Sequence, residues 1–190
     1  MRKVSIQRNT GFTLIETFVA ISILSLSILA TFTAVQSGLR SSSIAKDQIS
    51  AFYLTQEAME YIKNVRDENA LASLANPSSV SWLRGLAELS SDPCYQGNVC
   101  DLDAFHPATQ PSAFQRCGTT SGSCPNLRQD TVTGLYGYTA AWPVSYFKRE
   151  IQIDPVALNS NEAKVTVTVT WTTRGLQKTL QISELLYNRE

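Results

Sequence analysis

Residues 17–39 read TFVAISILSLSILATFTAVQSGL, and none of these side chains is charged. A helix of this length extends about 35 Å, more than the roughly 30 Å hydrocarbon core of a bilayer. The serine and threonine hydroxyls within it can bond to the carbonyl one turn back, so they do not prevent insertion. The stretch therefore predicts a membrane-spanning helix, for which we take the bounds 12–40.

The segment before this stretch, residues 1–11, reads MRKVSIQRNTG and carries Arg2, Lys3 and Arg8 but no acid. Basic flanks remain on the cytoplasmic side of a membrane, so residues 41–190 are expected outside the cytoplasm. Without these three bases, a chain of 16 basic and 16 acidic residues has an excess of acids. That balance does not favour a nucleic-acid partner bound through bulk positive charge.

The junction of the two segments reads GFTLIE, residues 11–16. A basic leader, then Gly11, Phe12, Glu16 four residues further on and a membrane-length apolar helix together resemble the signal of type IV prepilins and type II secretion pseudopilins. The resemblance implies that a membrane-bound prepilin peptidase removes residues 1–11, that Phe12 is then N-methylated, and that Phe12 and Glu16 serve assembly. It also implies four partners: other pilin or pseudopilin subunits, the peptidase/methyltransferase, an inner-membrane assembly machinery and the lipid bilayer.

The junction also has a physical interpretation. Gly11 has no Cβ, so a peptidase can approach its backbone closely. A carboxylate in the bilayer core costs about 2.5–3.5 kcal/mol, so Glu16 needs a partner, and the new α-amine of Phe12 in the same or a neighbouring subunit can supply it. Alternatively, Thr13 and Glu16 form a Thr-x-x-Glu capping box at the start of the helix. The two roles are compatible.

Two other interpretations of the N-terminus are a secretory signal peptide and a plain single-pass anchor. The apolar stretch is longer than the usual signal-peptide core of about 7–15 residues. Ala30 and Ala34 make only poor A-x-A-type cleavage sites. Both features favour a helix that stays with the chain.

Residues 44–66 contain neither Pro nor Gly and predict that the helix continues as an amphipathic one. Apolar residues recur there at three- and four-residue spacings, which is typical of a helix with one face in a protein core. These residues are Leu54, Ala58, Tyr61, Ile62 and Val65.

The last third of the chain predicts strands at 146–153, 164–171 and 179–186. Residues 164–171, KVTVTVTW, alternate between apolar and polar side chains, as in a half-buried strand, and Thr172–Gly175 suits a hairpin turn. We therefore expect an α+β fold in which a long N-terminal helix packs on an antiparallel sheet of about four strands. The final hairpin resembles that of minor pilins and pseudopilins.

Residues 94–134 are rich in Ser, Thr, Gly, Pro, Asn and Cys and are interpreted as a loop region, of which 94–124 is the disulfide part. All four cysteines lie in it: Cys94, Cys100, Cys117 and Cys124. An even number of cysteines outside the cytoplasm fits disulfides. Of the three possible pairings, we favour Cys94–Cys100 and Cys117–Cys124 because each closes a short loop. The spacing does not favour a Cys₄ zinc site, and we expect no metal or cofactor.

The sequence contains no recognisable catalytic constellation. His106 has no assignable Ser or Cys partner, and Asp101 and Asp103 are expected to be solvated loop acids. Before this loop region, Trp82, Leu83, Leu86 and Leu89 predict a short helix. The chain is thus not expected to be an enzyme, and the resemblance implies that it is instead the substrate of a peptidase.

The function expected from the resemblance is that of a structural, minor subunit of a type IV pilus or a type II secretion pseudopilus, first in the cytoplasmic membrane and then in the fibre. One alternative is a minor pilin whose loop region binds a surface through Tyr95 and Phe114, or DNA through Arg116 and Arg128. Another is a membrane-tethered extracellular enzyme.

Overall fold

A computed structural model describes residue 11 and residues 13–75, 81–105, 113–156 and 159–188, without the side chains of residues 156, 159 and 160. These residues form an α+β fold with one long N-terminal helix and an antiparallel sheet, so the predicted fold class is confirmed. The helix is α1, Leu14–Ala75. The strands are β1, Val99–Leu102; β2, Phe114–Gly118; β3, Asn126–Gln129; β4, Tyr136–Gly137; β5, Val144–Val156; β6, Asn159–Thr173; and β7, Leu176–Tyr187.

The chain divides into two compact units, Met1–Lys46 and Asp47–Glu190. The first unit holds the early part of α1, where no described side chain is buried. Its most apolar window of 18 residues has a mean hydropathy of 2.2. By length and composition this helix can cross a membrane.

In the second unit, α1 is amphipathic and packs one face against the sheet. The predicted apolar stripe is confirmed, since all its members are buried except Tyr61, which is half-buried. The helix runs beyond the predicted residue 66 because tertiary contacts support its last turns. The Asn69 side chain donates to the carbonyls of Trp82, at 3.2 Å, and Arg84, at 2.9 Å.

The sheet has seven strands, so the expectation of about four was wrong. Strand β5 is its centre. Along one edge it pairs first with β3 and then with β1, through registers such as Asn126↔Lys148 and Cys100↔Ile151. Along the other edge it pairs with β6, and β7 follows β6. The three extra strands are β1–β3, which lie in the region 94–134 interpreted as a loop.

Strand β6 has the predicted alternation. Its apolar residues are buried against α1, whereas most of its threonines lie on the opposite face: Val165, Val167, Val169 and Trp171 are 0–5% exposed. The turn to β7 is formed by Arg174 and Gly175, both with positive φ, at 53° and 79°. Two consecutive residues with positive φ make the tight turn that suits the twist of a hairpin.

The predicted short helix around Trp82 is absent from the described residues, which form consecutive turns there. Gly85 has a φ of 76°, which is incompatible with a right-handed helix, and the carboxylate of Asp92 accepts the N–H groups of Glu88 and Leu89. Trp82, with its neighbours Leu83 and Leu86, is still buried in the core, whereas Leu89 is 58% exposed.

Candidate functional site

The start of helix α1 is held by Thr13. Its carbonyl accepts the N–H groups of Glu16, at 3.1 Å, and Thr17, at 3.2 Å, and its Oγ1 lies 3.4 Å from the Glu16 nitrogen. Thr13 therefore acts as the N-cap that a Thr-x-x-Glu box predicts. Gly11 is exposed, and a Cβ added there would meet no atom within 4 Å. Phe12 lies outside the described residues.

The carboxylate of Glu16 is exposed in the first helical turn. A negative charge at this position is favoured by the helix dipole and by the free N–H groups of the first turn. No ion pair to Glu16 is present within the part of the chain that the structure describes. In a bilayer, this carboxylate would need a partner from elsewhere.

Five of the seven hydroxyl groups in the apolar stretch 17–39 bond within the helix, as expected. Each donor lies 2.8–2.9 Å from a carbonyl oxygen three or four residues earlier in the chain. The pairs are Thr17 with Leu14, Ser22 with Phe18, Ser27 with Ile23, Thr31 with Ile28, and Thr33 with Ala30. These polar groups therefore do not require water, and the helix surface can enter an apolar environment.

Large apolar side chains cover α1 on all sides between its start and Leu39. Their exposed fractions run from 49% to 87%, and they include Leu14, Ile15, Phe18, Ile21, Leu24, Ile28, Phe32 and Val35. A continuous apolar surface of this kind is typical of segments that contact lipid or other apolar helices.

A buried charge cluster lies in the second unit and joins α1 to the sheet. The guanidinium of Arg149 on β5 is 1% exposed and donates to Asp101 Oδ1, at 2.7 Å, and to Glu57 Oε2, at 2.6 Å. It also donates to the carbonyls of Leu54 and Leu102. The prediction that Asp101 is a solvated loop acid was therefore wrong, because β1 carries it into the core.

The electrostatics of this cluster follow from burial and pairing. Burial raises the pKa of Asp101, and the Arg149 guanidinium opposes that shift. Burial also lowers the pKa of Arg149, but the two carboxylates outweigh it and raise that pKa above its usual value. The Tyr138 hydroxyl donates to Asp101 Oδ2, and burial together with this carboxylate raises the pKa of Tyr138. The guanidinium therefore keeps its charge, and its bonds to Glu57 and Asp101 fix α1, β1 and β5 to one another.

Sequence reasoning missed Arg149, although a signal for it existed. In the predicted strand 146–153, alternate residues Phe147, Ile151 and Ile153 are buried, and Arg149 occupies the same face. A strand period of two thus places a cation in the core, where it requires an acid partner. Nothing in the sequence identifies which acid is the partner of Arg149.

The structure joins Cys94 to Cys100 and Cys117 to Cys124, the pairing that the short loops favour. The second loop is further held by Glu150 of β5. Its Oε1 accepts the N–H of Gly122, at 2.7 Å, and that of Cys124, at 3.3 Å. The backbone of this loop is therefore anchored at both the disulfide and the sheet.

The side chains proposed for surface binding are only partly available. Phe114 is buried, with its ring 5.7 Å from that of Tyr61, so the expectation of an exposed aromatic was wrong there. Tyr95 is half-buried, and Arg116 is exposed on β2. Arg128 donates to two backbone carbonyls of residues 140–142. His106 lies outside the described residues, and among those described no cluster of His, Cys, Asp and Glu is placed to hold a metal ion.

Comparison of the chain with family models, curated proteins and solved structures finds no match.

Proposed function

We propose that this chain is a structural subunit of a type IV pilus or a type II secretion pseudopilus, with a minor subunit favoured over the major one. A prepilin peptidase cuts it between Gly11 and Phe12, the new N-terminus is methylated, and the apolar part of α1 joins a bundle of like helices. The unit Asp47–Glu190 then lies on the fibre surface. The chain is a substrate of the peptidase and has no catalytic role of its own.

One observation carries this proposal: the GFTLIE junction leads into the first turn of a helix whose apolar surface is exposed on every side. A secretory signal peptide needs only a short apolar core, and a plain anchor needs no acid four residues after a Gly-Phe pair. A bundle of like helices uses both features, because the surface is covered by neighbours and Glu16 is neutralised by an α-amine.

Cleavage is tested by expressing the full chain with and without a prepilin peptidase and measuring the mass of its N-terminal peptide. We expect methylated Phe12 only when the peptidase is present. Gly11→Val should abolish cleavage without disturbing the fold, because the space around Gly11 is open. Gly38→Val, whose Cβ also meets no atom within 4 Å, is the matched control and should be cleaved normally. Cleavage of Gly11→Val at wild-type yield, or an intact Met1 with the peptidase present, would contradict the proposal.

The two roles of Glu16 are separated by a pair of variants. Glu16→Ala removes the carboxylate but keeps the backbone N–H that Thr13 caps, whereas Thr13→Ala removes the capping hydroxyl and keeps the charge. If the charge serves assembly, Glu16→Ala lowers recovery in sheared fibres at least tenfold and Thr13→Ala has a smaller effect. Equal recovery of both variants and the wild type would leave Glu16 with the capping role alone.

A second candidate function is recognition of an external ligand by the region around the second disulfide. A groove of about 500 Å³ lies there, lined by polar side chains such as Asn126, Lys148 and Thr170 together with Ser121 and Gly122. For DNA as ligand, Arg116→Ala with Arg128→Ala should weaken binding by the full chain at least tenfold. Unchanged binding would exclude that arginine patch.

A further inference from the structure

A second groove, of about 510 Å³, lies beside α1 in the unit Asp47–Glu190. Its apolar walls come from Tyr53 and Leu54 of the helix and from Leu135 and Tyr136 at the start of β4. Leu135 is 45% exposed and Tyr53 is 64% exposed, so the walls are open to a partner. The turn that carries Leu135 is closed by backbone bonds to Asp130, at 2.8 and 2.9 Å, which makes the groove preformed.

The groove also carries excess negative charge. Glu57 lines it and shares the single guanidinium of Arg149 with Asp101, so this cluster holds two carboxylates for one cation. Glu60 lines it as well. The Nζ atom of Lys63 lies 4.0 Å from the Glu60 carboxylate but only 3.0 Å from that of Glu184 on β7. An apolar groove with uncompensated carboxylates is complementary to an apolar side chain flanked by cations.

The β6–β7 hairpin tip, Arg174–Lys178, presents that combination on this same chain. Leu176 is 65% exposed and projects from the same face of β7 as Lys178, since the two are two positions apart in the strand. Arg174 lies in the turn itself, and neither cation of the tip has an ion pair within the described ranges. The tip is thus an apolar knob between two positive charges.

We propose that the hairpin tip of one copy docks into this groove on a second copy, with Leu176 against the apolar walls and Lys178 near Glu60. The proposal rests on the proposed function, because it names a contact between subunits of the same fibre. The tip and the groove are different surfaces, so the contact is head-to-tail, the type that repeats along a filament when its rotation does not close a ring.

The geometry sets the offset between the two copies. The tip is tied to the start of the second unit, because Thr173 Oγ1 donates to Asp47 at 2.7 Å. Glu57 lies ten residues further along α1, a rise of about 15 Å. A copy displaced by about that distance along the helix axis would bring its tip level with the groove of its neighbour.

The test uses the full chain in membranes, with the photocrosslinking residue benzoylphenylalanine in place of Leu176. Irradiation should give a product of twice the monomer mass, and peptide mapping should place the crosslink at residues 53–60 or 134–136. The matched control carries the crosslinker at Leu89, which is 58% exposed and belongs neither to the tip nor to the groove lining, and should give at least fivefold less dimer. Equal dimer from both positions, crosslinks at other residues, or crosslinks only to lipid or another protein would overturn the proposal.

Charge reversal makes the test specific. Lys178→Glu should lower the Leu176 crosslink at least fivefold, and Lys178→Glu with Glu60→Lys should restore it, since both residues are exposed and neither change disturbs the core. Absence of rescue would contradict the assigned contact. If the mapped crosslinks form although the peptidase never cuts before Phe12, the contact is supported and the proposed maturation is contradicted. If the chain is cut before Phe12 but gives no such crosslinks, the maturation is supported and the contact is contradicted.

Discussion

Replacing Arg149 with Met tests whether the buried charge cluster holds α1 to the sheet. Methionine preserves much of the side-chain length but removes the cation that faces Asp101 and Glu57. The side chain of Asp101 is only 2% exposed, whereas that of Glu57 is 35% exposed and can turn toward water. The cost therefore falls mainly on Asp101, which is left as an uncompensated charge in the core.

Loss of one partner from a buried pair costs about 3–5 kcal/mol. Here the Tyr138 hydroxyl and the N–H of Leu102 still donate to the stranded carboxylate, so we expect the lower end, about 3 kcal/mol. The free energy of unfolding is measured on the full chain in detergent micelles, by denaturant titration with the fluorescence of buried Trp82 and Trp171 as the signal.

The variant should also depend on pH in a defined direction. Without the guanidinium, only the hydrogen bonds from Tyr138 and Leu102 still oppose the burial that raises the pKa of Asp101, so this pKa rises further and the folded variant binds a proton that the unfolded chain releases. Its stability is then greatest near pH 4 and falls as pH rises through the raised pKa, by at most about 1.4 kcal/mol per pH unit. The double variant Asp101→Asn with Arg149→Met has no charge at either position. At pH 8 its free energy of unfolding should exceed that of Arg149→Met by more than about 1 kcal/mol, and it should not show this pH dependence. A loss below about 1 kcal/mol for Arg149→Met, with no dependence on pH, would refute the reasoning.

Three further changes test other parts of the second unit. Tyr146→Phe removes the hydroxyl that donates to the buried Asp47 carboxylate at 2.8 Å, and should lower the free energy of unfolding by roughly 1.5 kcal/mol. Tyr187→Phe is the control, because Tyr187 is equally exposed at 50%, and it should leave the stability unchanged. Gly175→Ala places a Cβ at a φ of 79° and should lower the stability by about 1 kcal/mol, measured as a lower Tm. Replacing Cys117 and Cys124 by Ser opens their loop and should cost about 2–3 kcal/mol. A reducing agent also opens Cys94–Cys100 and should therefore lower the stability of the wild type by at least as much. Unchanged stability for Tyr146→Phe, for Gly175→Ala or for the double cysteine variant would contradict the structural role assigned to the residues replaced.

Local periodicity explains which elements could be predicted from the sequence. Strands β5, β6 and β7 and the stripe on α1 carry a period of two or of three to four over many residues, so their type and buried faces are visible in the chain itself. Strands β1–β4 have two to five residues and depend on pairing with β5 or with one another. Their formation is decided by non-local hydrogen bonds, which composition does not report.

The candidate site divides in the same way. The disulfide pairing was accessible because each pair closes a short loop, and the capping by Thr13 was accessible because its partner is three residues away. The burial of Asp101 was not accessible, because its partner Arg149 is 48 residues distant in sequence. The roles of Gly11, Phe12 and Glu16 stay predictions that rest on the junction sequence.

The most direct test of the proposed assembly is the mass of the N-terminal peptide of this chain when it is recovered from purified, sheared fibres. The account predicts a peptide that begins at N-methylated Phe12 and continues through Glu16 into the apolar helix. Absence of the chain from the fibres, or an N-terminus at Met1 or beyond Ala34, would contradict it.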